Sequence, residues 1–247
     1  FCQDRLERLA RKMLHRERFP GFCPPEIGIC QEMIPAVVAE NLARFGDVFC
    51  EQGAFTCEES RQILIACQLA GLGLRIHAEE FSYQGGARMA AELGAVSCDH
   101  LQFLPADDFR VLAKHGTIPI MTAGTSFFLG MTQFAPALAM LEADLPVALG
   151  TDFNAGSNLS ISLPMAMYLV VSKMKLSPAQ ALIAATVNAA HSLQLGHRCG
   201  SLEKGKQADV IHVDAPNVEE WIYQYGINLV TTVYKKGQQI QGGRLHV

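Results

Sequence analysis

The feature that most constrains this chain is a repeated alternation of short apolar runs with helical stretches across the middle of the sequence. Val48-Phe49-Cys50 ends in Glu51. A helix predicted over Glu58–Leu69, closed by Gly71 and Gly73, leads to Leu74-Arg75-Ile76 and then His77. A helix over Gly86–Leu93 leads to Ala95-Val96-Ser97-Cys98, which ends in Asp99-His100. A helix over Ala106–His115 leads to Thr117-Ile118-Pro119-Ile120-Met121 and Thr122. A helix over Phe134–Ala143 leads to Pro146-Val147-Ala148-Leu149, ending in Gly150-Thr151-Asp152. Short strands that alternate with helices imply parallel βα units. The strands lack obvious polar alternation, as expected where both faces are covered. No Gly-rich phosphate fingerprint follows any of them, which favours a (β/α) barrel over a nucleotide-binding open sheet.

An eight-stranded barrel needs about three more units than these. The expected architecture is therefore α/β: an incomplete TIM barrel, represented by its last five βα units. The start at Phe1 fits the back portion of a longer protein, and no signal peptide is expected. Barrel is expected over 1–199. From Gly200 the style changes, and 200–247 is expected to contribute part of a small β-sandwich. Asp209–Val213 and Leu229–Tyr234 read as strands there, with Lys236-Gly237 as a hairpin turn.

The flanking segments are helical or irregular. Residues 5–18 read as a basic amphipathic helix, for which a surface position is favoured over a membrane or an acidic partner. Phe19–Pro25 reads as a loop, and Ile29–Phe45 as a helix. Ser177-Pro178 places an N-cap and a first helical residue ahead of a helix running to about Leu195, with Gly196 as its stop.

Composition excludes several functions. Of 247 residues, 49% are hydrophobic and the formal charge is −4, so the chain is neither disordered nor a basic nucleic-acid binder. No apolar run reaches the roughly 18 residues that span a bilayer; the run Leu163–Val171 is too short and contains Pro164. The eight cysteines form no C-x-x-C pair, which suits small buried residues in a reducing cytoplasm.

Active sites of (β/α) barrels form at the C-terminal strand ends. The polar residues there are Glu51, His77 with Glu80, His100, and Asp152 with Asn154. Two His and one Asp on nearby strands can converge as ligands for a borderline metal such as zinc. Such an ion brings the pKa of its water to roughly 7. A neighbouring Asp can pass the proton to a leaving nitrogen. Singly, each residue has a structural alternative: a hydrogen-bonded strand-end His, or an Asp that starts a turn. Their shared end of the sheet favours function. His15, His115, His191, His197, His212 and His246 receive no role.

Five segments resemble the imidazolonepropionase family of metal-dependent amidohydrolases. They are Val48-Phe49-Cys50-Glu51, His77-Ala78-Glu79-Glu80-Phe81, Asp99-His100-Leu101, Thr151–Ser157, and Gly200–Asp209. The likeness runs from about Ile29 to Ile240. Its most specific parts are the Asp-Phe-Asn loop and His-Ala-Glu-Glu. The resemblance implies an amidohydrolase-type barrel and hydrolysis of the cyclic amide of 4-imidazolone-5-propanoate to N-formimidoyl-L-glutamate, in histidine degradation. It implies His77 and Asp152 as ligands for one zinc or iron ion. Glu80 would orient substrate or water, and His100 would stabilise the developing oxyanion. Asp152 would shuttle the proton. Asn154, Gly156 and Ser157 would hold the substrate's polar groups. A small-molecule substrate, a cytoplasmic location and a homodimer as an option also follow, with no nucleic acid or membrane as partner.

The chain departs from the family pattern in having no His-x-His pair, no placeable counterpart of its front-barrel Arg and Tyr, and no Gly-Ala-His before residue 29. Two other readings stay open. One is another cyclic amidohydrolase or deaminase. The other is a truncated, inactive, non-enzymatic fragment.

Overall fold

A computed structural model describes residues 28–242. The helix expected at 5–18, the loop at Phe19–Pro25, and His15 and His246 lie outside the described residues. Five parallel strands form one sheet in sequential order: β1 (Phe45–Cys50), β2 (Gly73–Ala78), β3 (Ser97–His100), β4 (Ile118–Met121) and β5 (Ala148–Leu149). Among the described residues this sheet stays open between β1 and β5 and does not close into a barrel. A second sheet, β6 (Val210–Val213), β7 (Val230–Lys235) and β8 (Gln238–Gly242), is antiparallel. No helix among the described residues is long and apolar enough to cross a membrane.

The register explains where the core lies. Val48 and Cys50 of β1, Leu74, Ile76 and Ala78 of β2, and Cys98 of β3 alternate onto one face and are buried. Helices α2 (Cys57–Leu69), α3 (Gly86–Glu92) and α4 (Ala106–His115) supply Ile63, Leu64, Ala87, Ala90, Phe109 and Leu112 to the same core. Each fully buried aliphatic side chain contributes about 1.5–3 kcal/mol. A capping box fixes the start of α2: Thr56 Oγ1 accepts from Glu59 N at 3.2 Å, and Thr56 N donates to Glu59 Oε2 at 2.8 Å.

The opposite face corrects the sequence reading. The strands were expected to lack polar alternation, yet Asp47, Arg75, His77 and Asp99 occupy the alternate positions of β1, β2 and β3. They project away from the helices, where a closed barrel would have its interior. Short strands with charged residues at every second site gave too few positions for the pattern to register.

Several helix boundaries also differ. The expected helix Ile29–Phe45 becomes a π-type stretch, Gly28–Met33, and a short α1, Ile34–Ala39. Pro35, which lacks an N–H, stands in the first turn of α1, directly after the π-type stretch. Asn41 then takes φ 53°, and the chain enters β1 at Phe45. Between β4 and β5 lie α5 (Ala123–Phe128) and α6 (Ala137–Glu142), the latter starting after Pro136 instead of at Phe134. Helix α7 (Leu163–Met174) was not anticipated; the Ser162 hydroxyl caps it by accepting from Met165 N at 3.2 Å. The Ser177–Leu195 helix starts as expected, with a Ser177–Gln180 capping box. It then runs as α8 (Pro178–Ile183), a π-type segment Ala184–Asn188, and α9 (Ala189–Ser192). It stops before Gly196, where Gln194 takes φ 57°. A last helix, α10 (Val218–Tyr223), buries Ile222 in the main core.

Candidate metal and hydrolase site

The strand ends bring together four of the residues singled out in the sequence. The rings of His77 and His100 have centroids 5.3 Å apart. His100 Nε2 lies 3.9 Å from Asp152 Oδ2, and His100 Nδ1 lies 3.6 Å from Glu80 Oε1. His77, His100 and Asp152 each offer a ligand atom, and all three atoms lie within 4.8 Å of one another. Two imidazoles and a carboxylate form a donor set that suits zinc or iron. The residues present therefore fit a single ion.

Four of the nine non-Gly residues with positive φ among the described residues lie at this end of the sheet. Glu79, His100, Leu101 and Asp152 take φ of 52°, 79°, 64° and 52°. Such non-Gly conformations cost about 1–3 kcal/mol each and persist where the surroundings impose them. Here they turn the chain directly after β2, β3 and β5, which aims Glu80, His100 and Asp152 into one space.

Neighbours hold each side chain. Thr122, just after β4, places its hydroxyl 2.9 Å from His100 Nδ1. Thr125, on α5, donates its hydroxyl to Asp152 Oδ2. Asp47 Oδ1 lies 2.9 Å from His77 Nδ1. Sequence reasoning gave Thr125 and Asp47 no role. Thr125 lies on a helix that was not anticipated. Asp47 lies on β1 and reaches His77 of β2 only through the packing of neighbouring strands.

Burial and charge shape the titration of the group. Burial lowers the His77 pKa, but the hydrogen bond and charge of Asp47, with the charges of Asp99 and Asp152, push it up to about 9. Burial, reinforced by the charge of His77, lowers His100 to about 3, so its ring is neutral. Burial raises Glu80 to about 8; Asp152 and Glu51 add to this and His77 opposes it.

The other acids at the strand ends are structural supports. Glu51 is almost fully buried and accepts from Gln52 N at 2.8 Å, Phe81 N at 2.9 Å, Ser82 N at 3.3 Å and the Ser82 hydroxyl. It thereby fixes the two residues that follow Glu80. Glu79 accepts from Gly86 N at 2.8 Å and Ala87 N at 3.0 Å, capping α3.

Asn154, Gly156 and Ser157 lie in the loop after Asp152. Asn154 Oδ1 accepts from Gly156 N at 2.8 Å and Ser157 N at 2.7 Å, while its Nδ2 donates to the Asp152 carbonyl at 2.9 Å. Their polar groups thus bond within the loop, as an Asx turn does. Next to it, Asn158 Nδ2 donates to the Thr151 carbonyl at 2.5 Å. Gly124 lies so close to Asn158 that an added Cβ would stand 2.4 Å from Nδ2. A cavity of about 490 Å³ opens between α5, this loop and α7, lined by Gly124, Phe127, Thr151, Leu159, Met165 and others.

The open parallel sheet carries a His, His, Asp cluster at its strand ends that could hold a metal ion, and the amidohydrolase family model matches residues 26–240. The chain belongs to the amidohydrolase family. Within it, the chain is 47% identical over 218 residues to the imidazolonepropionase of Geobacillus sp. (strain WCH70), covering 88% of this chain and 51% of that protein. It is 44% identical over 220 residues to the imidazolonepropionase of Geobacillus kaustophilus (strain HTA426), covering 89% and 52%. The chain spans about half the length of the curated relatives it matches. Among solved structures, it resembles a Xaa-Pro dipeptidase at TM-score 0.70 and 22% identity, covering 92% of this chain and 64% of that one. It also resembles a zinc-bound adenosine deaminase from Xanthomonas campestris at TM-score 0.65 and 22% identity, covering 78% and 51%. Likeness at that identity speaks to the fold.

Proposed function

We propose that this chain carries the catalytic strand ends of an enzyme that hydrolyses the cyclic amide C–N bond of 4-imidazolone-5-propanoate to N-formimidoyl-L-glutamate in histidine degradation. The observation that carries this is the convergence of His77, His100, Asp152 and Glu80 at the strand ends of a chain 47% identical over 218 residues to an imidazolonepropionase. His77 and Asp152 would hold the ion, with His100 within reach. When bound, zinc or iron supplies Lewis acidity, bringing the pKa of a water to about 7 and polarising a carbonyl.

The remaining roles belong to the chain. The Asp152 carboxylate, steadied by Thr125, takes a proton from the water that adds to the ring carbonyl and gives it to the ring nitrogen as the C–N bond breaks. Neutral His100, held by Thr122, lies where it can hydrogen-bond the oxygen on which charge develops. Glu80, fixed through Glu51 and residues 81–82, orients the substrate. Asn154, Gly156 and Ser157 shape the loop that borders the substrate. The same reading carries a partial barrel within 1–199, part of a small β-sandwich within 200–247, a cytoplasmic location and, as an option, a homodimer.

The test is a chimera in which residues 26–240 replace the matching segment of the Geobacillus sp. (strain WCH70) protein. Loss of ultraviolet absorbance by 4-imidazolone-5-propanoate is followed, beside a panel of cyclic amidines and nucleobases. Turnover of the imidazolone, abolished by His77→Ala or Asp152→Asn, is the expected result. A folded, metal-loaded chimera that ignores it, or prefers a nucleobase, overturns the proposal.

A further inference from the structure

Around His77 lies a closed set of charges, of which the proposed reaction uses only His77 itself. Asp47 is opposite Arg75 in the β1–β2 register, and His77 is opposite Asp99 in the β2–β3 register. Asp47 Oδ2 is 3.9 Å from Arg75 Nε, and Arg75 Nη2 is 3.6 Å from Asp99 Oδ1. Asp99 Oδ2 is 3.8 Å from His77 Nε2, and Asp47 Oδ1 returns to His77 Nδ1 at 2.9 Å. Acid and base therefore alternate around the set. Asp47, His77 and Asp99 also place ligand-capable atoms within 4.8 Å of one another. Arg75 stands between the two acids, and its charge disfavours a second cation there.

The two contacts to His77 are unequal. The Asp47 contact has hydrogen-bond length, whereas the Asp99 contact is an ion pair at longer range. A carboxylate on one ring nitrogen decides which nitrogen carries the proton and which offers a lone pair. It also fixes the ring's rotation and raises its basicity as a ligand. Barrel interiors are usually filled by apolar side chains, so a charged layer at this position asks for a reason.

We propose that Asp47, itself held by Arg75, is a positioning residue that keeps the proton of His77 on Nδ1 and presents Nε2 as the ligand atom. The proposal rests on the reading of His77 as a ligand. Asp99 completes the neutralisation of Arg75 and leaves Nε2 free of a short hydrogen bond.

The experiment uses the whole chain and two probes. Cobalt(II) affinity is measured by competition with a chromophoric chelator. The His77 ring is observed in zinc-loaded, ¹⁵N-histidine-labelled protein by long-range proton–nitrogen correlation. Asp47→Ala is expected to weaken cobalt binding roughly 10–100-fold and to replace the single Nε2-ligated pattern by a mixture. Asp47→Asn, whose amide oxygen still accepts from Nδ1–H, is expected to restore the single pattern. An unchanged affinity and pattern in Asp47→Ala, with His77→Ala weakening cobalt binding, overturns the positioning role alone. Unchanged affinity in His77→Ala overturns the ligand reading beneath it. An Asp47→Asn spectrum that matches Asp47→Ala, in a chain with native circular dichroism, also counts against the proposal.

Discussion

Replacing Glu51 by alanine tests how the fold holds the catalytic segment. Its carboxylate is nearly inaccessible and takes three donors from across the sheet: Phe81 N at 2.9 Å, Ser82 N at 3.3 Å and the Ser82 hydroxyl. A hydrogen bond to a charged group is worth about 1.5–3 kcal/mol. Phe81 and Ser82 are only half-buried, so water can recover part of what is lost. The net cost of Glu51→Ala is therefore placed at about 3 kcal/mol, the worth of one or two such bonds. Glu51→Gln keeps the shape but turns an NH2 group toward N–H donors, and should cost about half as much. Urea denaturation reads the midpoint, with the slope m expected to stay unchanged. Amide hydrogen exchange at Phe81 and Ser82 should quicken more than in the strands. A loss below about 1 kcal/mol at constant m, with protection at Phe81 and Ser82 intact, would refute the reasoning.

Three further outcomes follow from the same geometry. Thr125→Val, near-isosteric at a buried site, removes the hydroxyl that steadies Asp152 and should weaken cobalt(II) binding roughly 10-fold with little change in circular dichroism. Gly86→Ala would bring a Cβ to 2.7 Å from Cys50 Sγ and 3.3 Å from the Ala78 Cβ. Overpacking of that kind should cost about 1–3 kcal/mol in urea denaturation. Asp209 is held at about 2, chiefly by Lys235 at 2.6 Å and then by Lys236 N at 2.9 Å. Its folded pKa is depressed, so its contribution to stability is present above about 3.9, the unfolded value, and is lost as pH falls through about 2. In Lys235→Ala, carboxyl NMR titration should move Asp209 upward, and acid unfolding should begin at higher pH.

Much of the site was legible because strand-end residues in a parallel sheet share one side regardless of how the helices are bounded. His77, Glu80, His100 and Asp152 needed only the strand–helix rhythm to be grouped. The strand positions followed for the same reason, since apolar runs such as Val147-Ala148-Leu149 have few alternatives. Helix α5 was hidden because Ala123–Phe128 is only six residues long, too short for a helical period to register. Helix α7 was hidden because Pro164 reads as a breaker, although at the first turn it costs no hydrogen bond. The Asp47–Arg75–Asp99 layer was missed because its members lie on three strands and meet only through register. Glu51 was legible as a strand-end acid, but only the fold shows that its oxygens face Phe81 and Ser82.

The central claim is that these strand ends form one metal site at His77 and Asp152, with His100 beside it. Crystals of the chain grown at saturating zinc, measured at the zinc absorption edge, test it most directly. The account predicts an anomalous peak about 2.0–2.2 Å from a His77 nitrogen and an Asp152 oxygen, within the space bordered by His100 and Glu80. A peak at other residues, or none between His77 and Asp152 at saturating zinc, would contradict it.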